Sequence, residues 1–296
     1  NLIKEGVVVK LTVFANFRID NKERYLRMKD SFFSFQDISA EKWVVNVRGK
    51  YKKQVLKFLR QNLKEKLCAY ELESDKGWFY DTREMLTVIH GDYVLFWIED
   101  HINLVSIGKY DQILTEMKRA QSDHLVYTWF GNNDIFKPLT SNDSKNIKTI
   151  HMNKAKVDAV ENENNSYFYM ISAASICSIK LFNKIIKSNH PYLKRWSKET
   201  PFDFEKRSTD VEFLPFNLSI SKCELFASID DNLGMDGYSL IDRGLYPDRV
   251  RRHELQHVEY SSAGIIDFIK KITPKYIYKH LSSVYTLIRR IFYTIN

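Results

Sequence analysis

The sequence predicts an α/β domain with a mainly parallel central sheet. Two observations predict it. Over the first 130 residues, short β-branched and apolar runs alternate with amphipathic segments of helical period, the pattern of strands each followed by a covering helix. The 296-residue chain, 44% apolar and 28% charged, is also long enough to bury a sizeable core and has an ordinary globular composition. Ten glycines and six prolines are too few for a collagen-like or low-complexity chain.

The elements follow in order. Residues 7–14 are β-branched and apolar and predict a buried strand, with residues 16–21 as the loop after it. Residues 22–35 have helical spacing, with Tyr25, Met28 and Phe32 on one face. A second strand is expected at 43–47, then a turn at Arg48 and Gly49 and a helix over 51–63. Residues 68–71 form a short strand candidate, 81–90 a helix, 92–98 a strongly apolar strand, 104–120 a helix and 124–130 another strand. Residues 142–146 and 161–165 are polar and turn-prone and read as loops. Order returns over 167–187, with a strand-like start and a helix near 180–186, and 201–207 reads as a charged loop before two apolar runs in 211–226. No internal repeat is visible.

In open parallel sheets, ligands bind beyond the carboxyl ends of the strands. The loops at 16–20, 46–49 and 99–101 all follow strands, so Asn16, Arg18, Arg48 and Glu99 are placed to line one crevice. The most informative stretch is residues 91–101, Gly-Asp-Tyr-Val-Leu-Phe-Trp-Ile-Glu-Asp-His, a buried strand that ends abruptly in two acids and a histidine. Carboxylates there suit a hard divalent cation that neutralises a diphosphate, or they cap the helix that follows.

Several segments together resemble GT-A-type, family 2-like nucleotide-sugar glycosyltransferases. Residues 91–101 resemble the family's strand that delivers the acidic metal motif, and Phe79-Tyr80-Asp81-Thr82-Arg83 resembles the start of the helix before it. Residues 171–175, Ile-Ser-Ala-Ala-Ser, are similar to the small-residue segment that faces donor sugar and acceptor. Phe202-Asp203-Phe204-Glu205 resembles the later acidic motif, and 213–215 the strand after it. The likeness covers about residues 7–245. It implies a single GT-A-like (Rossmann-like) domain that transfers a sugar from a nucleotide-diphosphate donor, most simply a UDP-sugar. The acceptor would be a glycan or a lipid-linked glycan, in cell-surface polysaccharide synthesis.

By the same resemblance the nucleotide pocket begins at the opening strand and loop, with Asn16 and Arg18. Arg83 approaches the diphosphate. Asp100 is the direct ligand of Mg²⁺ or Mn²⁺, and Glu99 acts through water or on the ribose. Ile98 stands where the family has its first acid, which weakens strict metal dependence. Asp203, Glu205 and Asp210 compete for the general base of an inverting reaction, and Glu205 is favoured. The domain divides into a nucleotide-sugar half, 1–130, an acceptor half, 131–258, and a tail, 259–296.

His253-Glu254-Leu255-Gln256-His257 matches a zinc-hydrolase helix motif. Arg251 and Arg252 precede it, Glu259 follows, and no glutamate lies beyond to serve as a distant third ligand, so a zinc-dependent hydrolase is the lesser alternative. In the transferase reading, His253 or His257 reaches back to the metal or the diphosphate. Residues 228–238, rich in Asp and Gly, are an acceptor-side loop or only a turn.

The net charge is +8, and residues 260–296 carry +5 of it, from six Lys and Arg against Asp267. The near-balanced remainder argues against a nucleic-acid groove. The tail places Ile265, Phe268, Ile269, Ile272, Leu281, Val284 and Leu287 at helical intervals with lysines and arginines between, and Pro274 divides it. That predicts C-terminal amphipathic helices at an anionic membrane surface, or a helix packed on the body. Three widely spaced cysteines, no visible signal peptide and no long uncharged run predict a cytoplasmic protein at the inner face of the membrane. A non-catalytic membrane- or nucleic-acid-binding module is the other alternative.

Overall fold

The computed structural model describes residues 9–126, 136, 139–164, 169–188, 206–207, 211–230 and 239–246. The opening βα units are regular. Strand β1 (Leu11–Arg18) leads to helix α1 (Lys22–Phe35), β2 (Lys42–Arg48) to α2 (Lys52–Leu63), and β3 (Leu67–Tyr70) to α3 (Trp78–Met85). Then come β4 (Tyr93–Phe96), β5 (His101–Asn103), α4 (Ile107–Arg119) and β6 (His124–Val126). The second part holds β7 (Asn142–Asp143), β8 (Ile147–Met152), α5 (Lys154–Asn164), β9 (Tyr169–Ile171), β10 (Ser175–Ser178) and α6 (Ile179–Lys187). β11 (Lys206–Arg207), β12 (Phe216–Ser221) and β13 (Phe226–Ser228) follow.

Nine strands form one sheet in the order β3-β2-β1-β4-β10-β6-β12-β8-β7. β3, β2, β1 and β4 are mutually parallel, as are β6 and β12. β10 runs antiparallel to both β4 and β6, and β8 antiparallel to β12 and β7. All strands but β10 and β8 therefore point the same way, which is the mainly parallel α/β sheet expected. Two small ribbons stand apart, β5 with β13 and β9 with β11.

The pleat explains why the central strands read as near-continuous apolar runs. In β1, Leu11, Val13, Ala15 and Phe17 face one core, shared with Met28, Phe32 and Phe35 of α1 and with buried residues of α2 and α4. Phe14 faces the other core, with Trp78 and Phe79 of α3 and Leu181 and Phe182 of α6. β4 divides in the same way, Tyr93 and Leu95 to the first core and Val94 and Phe96 to the second. A strand covered on both faces loses the polar alternation of a half-exposed one.

Several boundaries differ from the sequence expectation. β1 runs to Arg18, through what reads as loop, because residues 12–18 pair in register with β2 up to Arg18 opposite Arg48. α3 begins at Trp78, earlier than 81, because Gly77 turns the chain with φ 94° and lets Trp78 and Phe79 drop into the core. Residues 161–165 read as loop, yet α5 extends to Asn164. The Asn153 side chain accepts from Lys156 N–H at the start of this helix, and Val157 and Val160 anchor it. The stretch 142–146 contains the two-residue strand β7 and the turn into β8. The expected helix at 104–120 starts at Ile107, because β5 and its ribbon precede it. The tail helices and His253-Glu254-x-x-His257 lie outside the described residues.

Candidate functional site

The strand order places a topological switch between β1 and β4. From β1 the chain moves outward through β2 and β3, and then returns past β1 to form β4. At such a point the connections on either side diverge and leave a crevice at the carboxyl edge. The loops after β1 and β2 are locked together there. Lys50 N–H donates to Asp20 Oδ1 at 3.1 Å and Tyr51 N–H to Ile19 O at 2.9 Å. Gly49 makes this possible: its φ is 89°, and a Cβ would lie 2.7 Å from Ile19 O.

β4 delivers the acids. Trp97 N–H donates to Phe14 O at 2.8 Å, carrying the strand pairing one residue further, and His101 N–H returns to Ile98 O at 3.2 Å, so Glu99 and Asp100 occupy a tight turn. Helix α1 pins that turn. The buried Ser31 hydroxyl donates to His101 O at 2.5 Å and accepts from Trp97 Nε1 at 2.8 Å. One turn on, Ser34 Oγ accepts from Asn103 N–H at 3.0 Å. Asp100 O accepts from Ile229 N–H at 2.8 Å, which brings the segment after β13 against the acids.

The result is a small open cleft lined by Arg24, Arg27, Glu99, Asp100 and Asp230. Arg27 is only 5% exposed; its Nη1 donates to Asp230 Oδ2 at 2.7 Å and its Nε to Glu23 Oε1 at 3.4 Å. Among the described residues its Nη2, buried, has no hydrogen-bond partner. The two adjacent carboxylates are driven apart. Burial, with Asp100 alongside, raises Glu99 to about 7, against the pull of Arg24 and His101. Burial pushes Asp100 upward too, but the 2.8 Å hydrogen bond with His101 Nδ1 and the charges of Arg24 and Arg27 outweigh it and hold Asp100 below the usual carboxylate range. Of the two, Asp100 is the acid favoured in its ionised form.

The predicted residues separate into groups. Glu99 and Asp100 line the cleft. Arg48 is buried at the end of β2 and feels the charges of Arg18, Asp81, Glu73 and Glu99; burial and Arg18 lower its affinity for its proton. Arg18 sits beside it, paired with Glu73 and, at 3.6 Å, with Asp20. Asn16 lies under the crevice rather than in it. Its Nδ2 donates to Trp78 O at 3.2 Å and Thr82 Oγ1 at 3.0 Å, and its Oδ1 accepts from Asn46 Nδ2 at 2.9 Å, so the amide ties β1, β2 and α3 together. Arg83 does not line the cleft. It donates to the carbonyls of Ile186 at 2.9 Å and Ser188 at 2.8 Å, at the carboxyl end of α6 where free carbonyls favour a cation, and stacks on Phe79. Asp203, Glu205, Asp210 and His253 lie outside the described residues.

Arg24, Arg27 and Asp230 are the residues that sequence reading passed over. A signal existed for the arginines: they stand three apart, on one side of the helix that directly follows the β1 loop. Asp230 fell inside the stretch read as an acceptor-side loop or a turn.

Among the described residues, no group of three or more His, Cys, Asp and Glu side chains is arranged to hold a metal ion. The donor set at the cleft is two adjacent carboxylates, since Asp230 is held by Arg27. That set fits Mg²⁺ or Mn²⁺ in the manner of an ion kept by one or two carboxylates, waters and substrate phosphates, not by a closed protein cage.

No protein-family profile matches the chain, and no curated protein sequence matches it. Solved structures similar to it include three of S. aureus TarS. One aligns over 74% of this chain and 36% of its own length, at 14% identity and TM-score 0.46. TarS 1–349 in complex with UDP-GlcNAc aligns over 73% of this chain and 57% of its own, at 14% and 0.45. A further structure of TarS 1–349 aligns over 86% of this chain and 73% of its own, at 15% and 0.46. The chain thus spans about a third of the first of these and just over half of the second.

Proposed function

We propose that this chain is a nucleotide-sugar glycosyltransferase that moves a sugar from a nucleotide-diphosphate donor to a glycan or lipid-linked acceptor. The observation that carries the reading is the position of Glu99 and Asp100. They stand at the carboxyl end of β4, at the switch point of a parallel sheet, with Arg24 and Arg27 in the same cleft and Arg48 near enough to feel the charge of Glu99. A diphosphate needs cationic donors at its oxygens and stabilisation of the charge that grows as it leaves. Arg24 and Arg27, which line the cleft, supply the first.

In this reading Asp100, kept ionised by His101 and the arginines, orients the donor. A Mg²⁺ or Mn²⁺ shared between Asp100, with Glu99 close by, and the donor phosphates would neutralise the leaving diphosphate. Glu99 binds through water or to the ribose. Asp230 holds Arg27 toward the cleft. Glu205, or Asp203, deprotonates the acceptor hydroxyl if the reaction inverts. The acceptor suggested by the family resemblance belongs to cell-surface polysaccharide synthesis at the inner face of the membrane.

A thermal-shift screen tests the reading, with UDP, GDP, CMP, dTDP and UDP-GlcNAc, each with and without Mn²⁺. A nucleotide at about 100 times its Kd stabilises the native state by about 2.7 kcal/mol. We expect one nucleoside diphosphate to raise Tm, more so with Mn²⁺. Asp100→Asn should keep the fold and lose both the Mn²⁺-dependent part of the shift and sugar transfer. No shift with any nucleotide would overturn the function, and full transfer by Asp100→Asn would remove the role given to Asp100.

A further inference from the structure

Outside the cleft, charge is uneven on the outer side of α2. Residues 50–66 carry seven basic residues against the single acid Glu65, a net +6 out of the chain's +8. Lys53, Lys57, Arg60 and Lys64 recur at i, i+4, i+7 and i+11, and all four are exposed. That spacing aligns the first three in one stripe along the helix, about 10 Å long at the helical rise, and Lys64 follows just past its C-terminus, where φ turns to 49°. Among the described residues none of the seven makes an ion pair. Lysines elsewhere do: Lys10 with Glu41, Lys118 with Asp92, Lys154 with Asp158, Lys222 with Asp143.

This arrangement works against the helix that carries it. Like charges at i,i+4 and i,i+3 repel. Lys52 and Lys53 occupy the first turn, which has no acid and no side-chain cap, where the helix dipole disfavours cations. A solvated helix face ordinarily mixes both signs. The flank of α2 one helical step, about 100°, round from Lys57 carries an aromatic pair. Phe33 of α1 is 48% exposed, its ring packs edge-on against Phe58 of α2 at 5.5 Å, and Lys29 Nζ lies 5.3 Å from the Phe58 ring. Unpaired cations beside a half-exposed ring match an interface that is anionic at its surface and apolar just beneath.

We propose that this face of α2, with Phe33 at its edge, docks the folded body onto an anionic lipid bilayer. The ammonium and guanidinium groups meet lipid phosphates, and Phe33 enters the headgroup–acyl boundary. The surface lies outside the cleft, and it stands whether or not the chain transfers sugars.

Co-sedimentation of the full chain with vesicles tests it, comparing pure phosphatidylcholine with a mixture containing about one quarter phosphatidylglycerol. Each basic residue at such a surface is worth about a fivefold change in partitioning. The quadruple variant Lys53→Gln, Lys57→Gln, Arg60→Gln, Lys64→Gln should therefore lower binding to the anionic vesicles by about two orders of magnitude or more. Phe33→Ser should lower it several-fold with no change in net charge. A control with the same charge loss, Lys10→Gln, Lys118→Gln, Lys154→Gln, Lys222→Gln, should bind far better than the α2 variant. Three results would overturn the proposal. The wild-type chain ignores anionic vesicles while binding soluble polyphosphate or RNA, the α2 variant binds as wild type, or the two quadruple variants lose binding equally. Every substituted residue in the α2 variant is exposed, so unchanged circular dichroism should accompany the loss.

Discussion

Acidification should expose a weakness at the centre of the sheet. His124 opens β6, between β10 and β12, and is fully buried. Its Nε2 accepts a hydrogen bond from Ser172 N–H at 3.2 Å, so the neutral ring carries its proton on Nδ1. Burial lowers its affinity for a second proton to about 3, from an ordinary 6.5. Between these values the unfolded chain binds a proton that the native chain refuses. The stability His124 contributes is therefore complete above about pH 6.5 and is lost progressively as pH falls toward 3. For one such group the loss between pH 7 and pH 5 is about 2 kcal/mol, a large part of a typical domain's margin. The assay is urea unfolding of the wild type and His124→Gln across that range. Glutamine offers an acceptor without a titrating proton, so the two stability–pH curves should converge by about 2 kcal/mol at pH 5, whatever their offset at pH 7. Parallel curves would refute the assignment.

Two further outcomes follow from the site's support. Asn46 is fully buried. It donates to Asn16 Oδ1 and Leu72 O, both at 2.9 Å, and accepts from Leu72 N–H at 2.7 Å. Asn46→Ala strands the buried Asn16 Oδ1 and the half-buried N–H and carbonyl of Leu72, so urea unfolding should show a loss of about 3 kcal/mol; a loss under about 1 kcal/mol would mean the network relaxes around the gap. Asp230→Asn should destabilise by about 1–2 kcal/mol, less than a fully buried pair, since Asp230 is 22% exposed. A double-mutant cycle with Arg27→Met should recover most of that as coupling, and additive effects would show that the pair is not a unit.

Much of the fold was legible because strands covered on both faces declare themselves. Val13, Phe14, Val44, Val45, Val94 and Leu95 leave no polar alternation, and helices with buried faces such as Val55, Leu56, Leu59 and Leu63 repeat at the helical period. Boundaries failed where a single side chain set them. Gly77 started α3 early, and the Asn153 cap with two valines carried α5 through a stretch of polar residues. The acids after β4 were legible for a different reason: charge at the end of an apolar run is conspicuous. Their partners were not. Arg27 and Asp230 are 203 positions apart, and no local pattern links a base in the first helix to an acid after the last ribbon.

By itself, then, the sequence determined the α/β class, the sheet direction of the opening strands and the position of Glu99 and Asp100 at a strand end, because these depend on periodicity and local charge. Tertiary structure alone decided which groups face those acids. It assigned Arg83 to the end of α6, set Asn16 beneath the crevice as a tie between elements, and brought Arg27 and Asp230 into the cleft. Among the described residues it also left the basic residues of α2 outside every ion pair, which composition cannot reveal. The physical reason is that pairing and desolvation act through space. Electrostatic energy falls with distance and burial, not with separation along the chain.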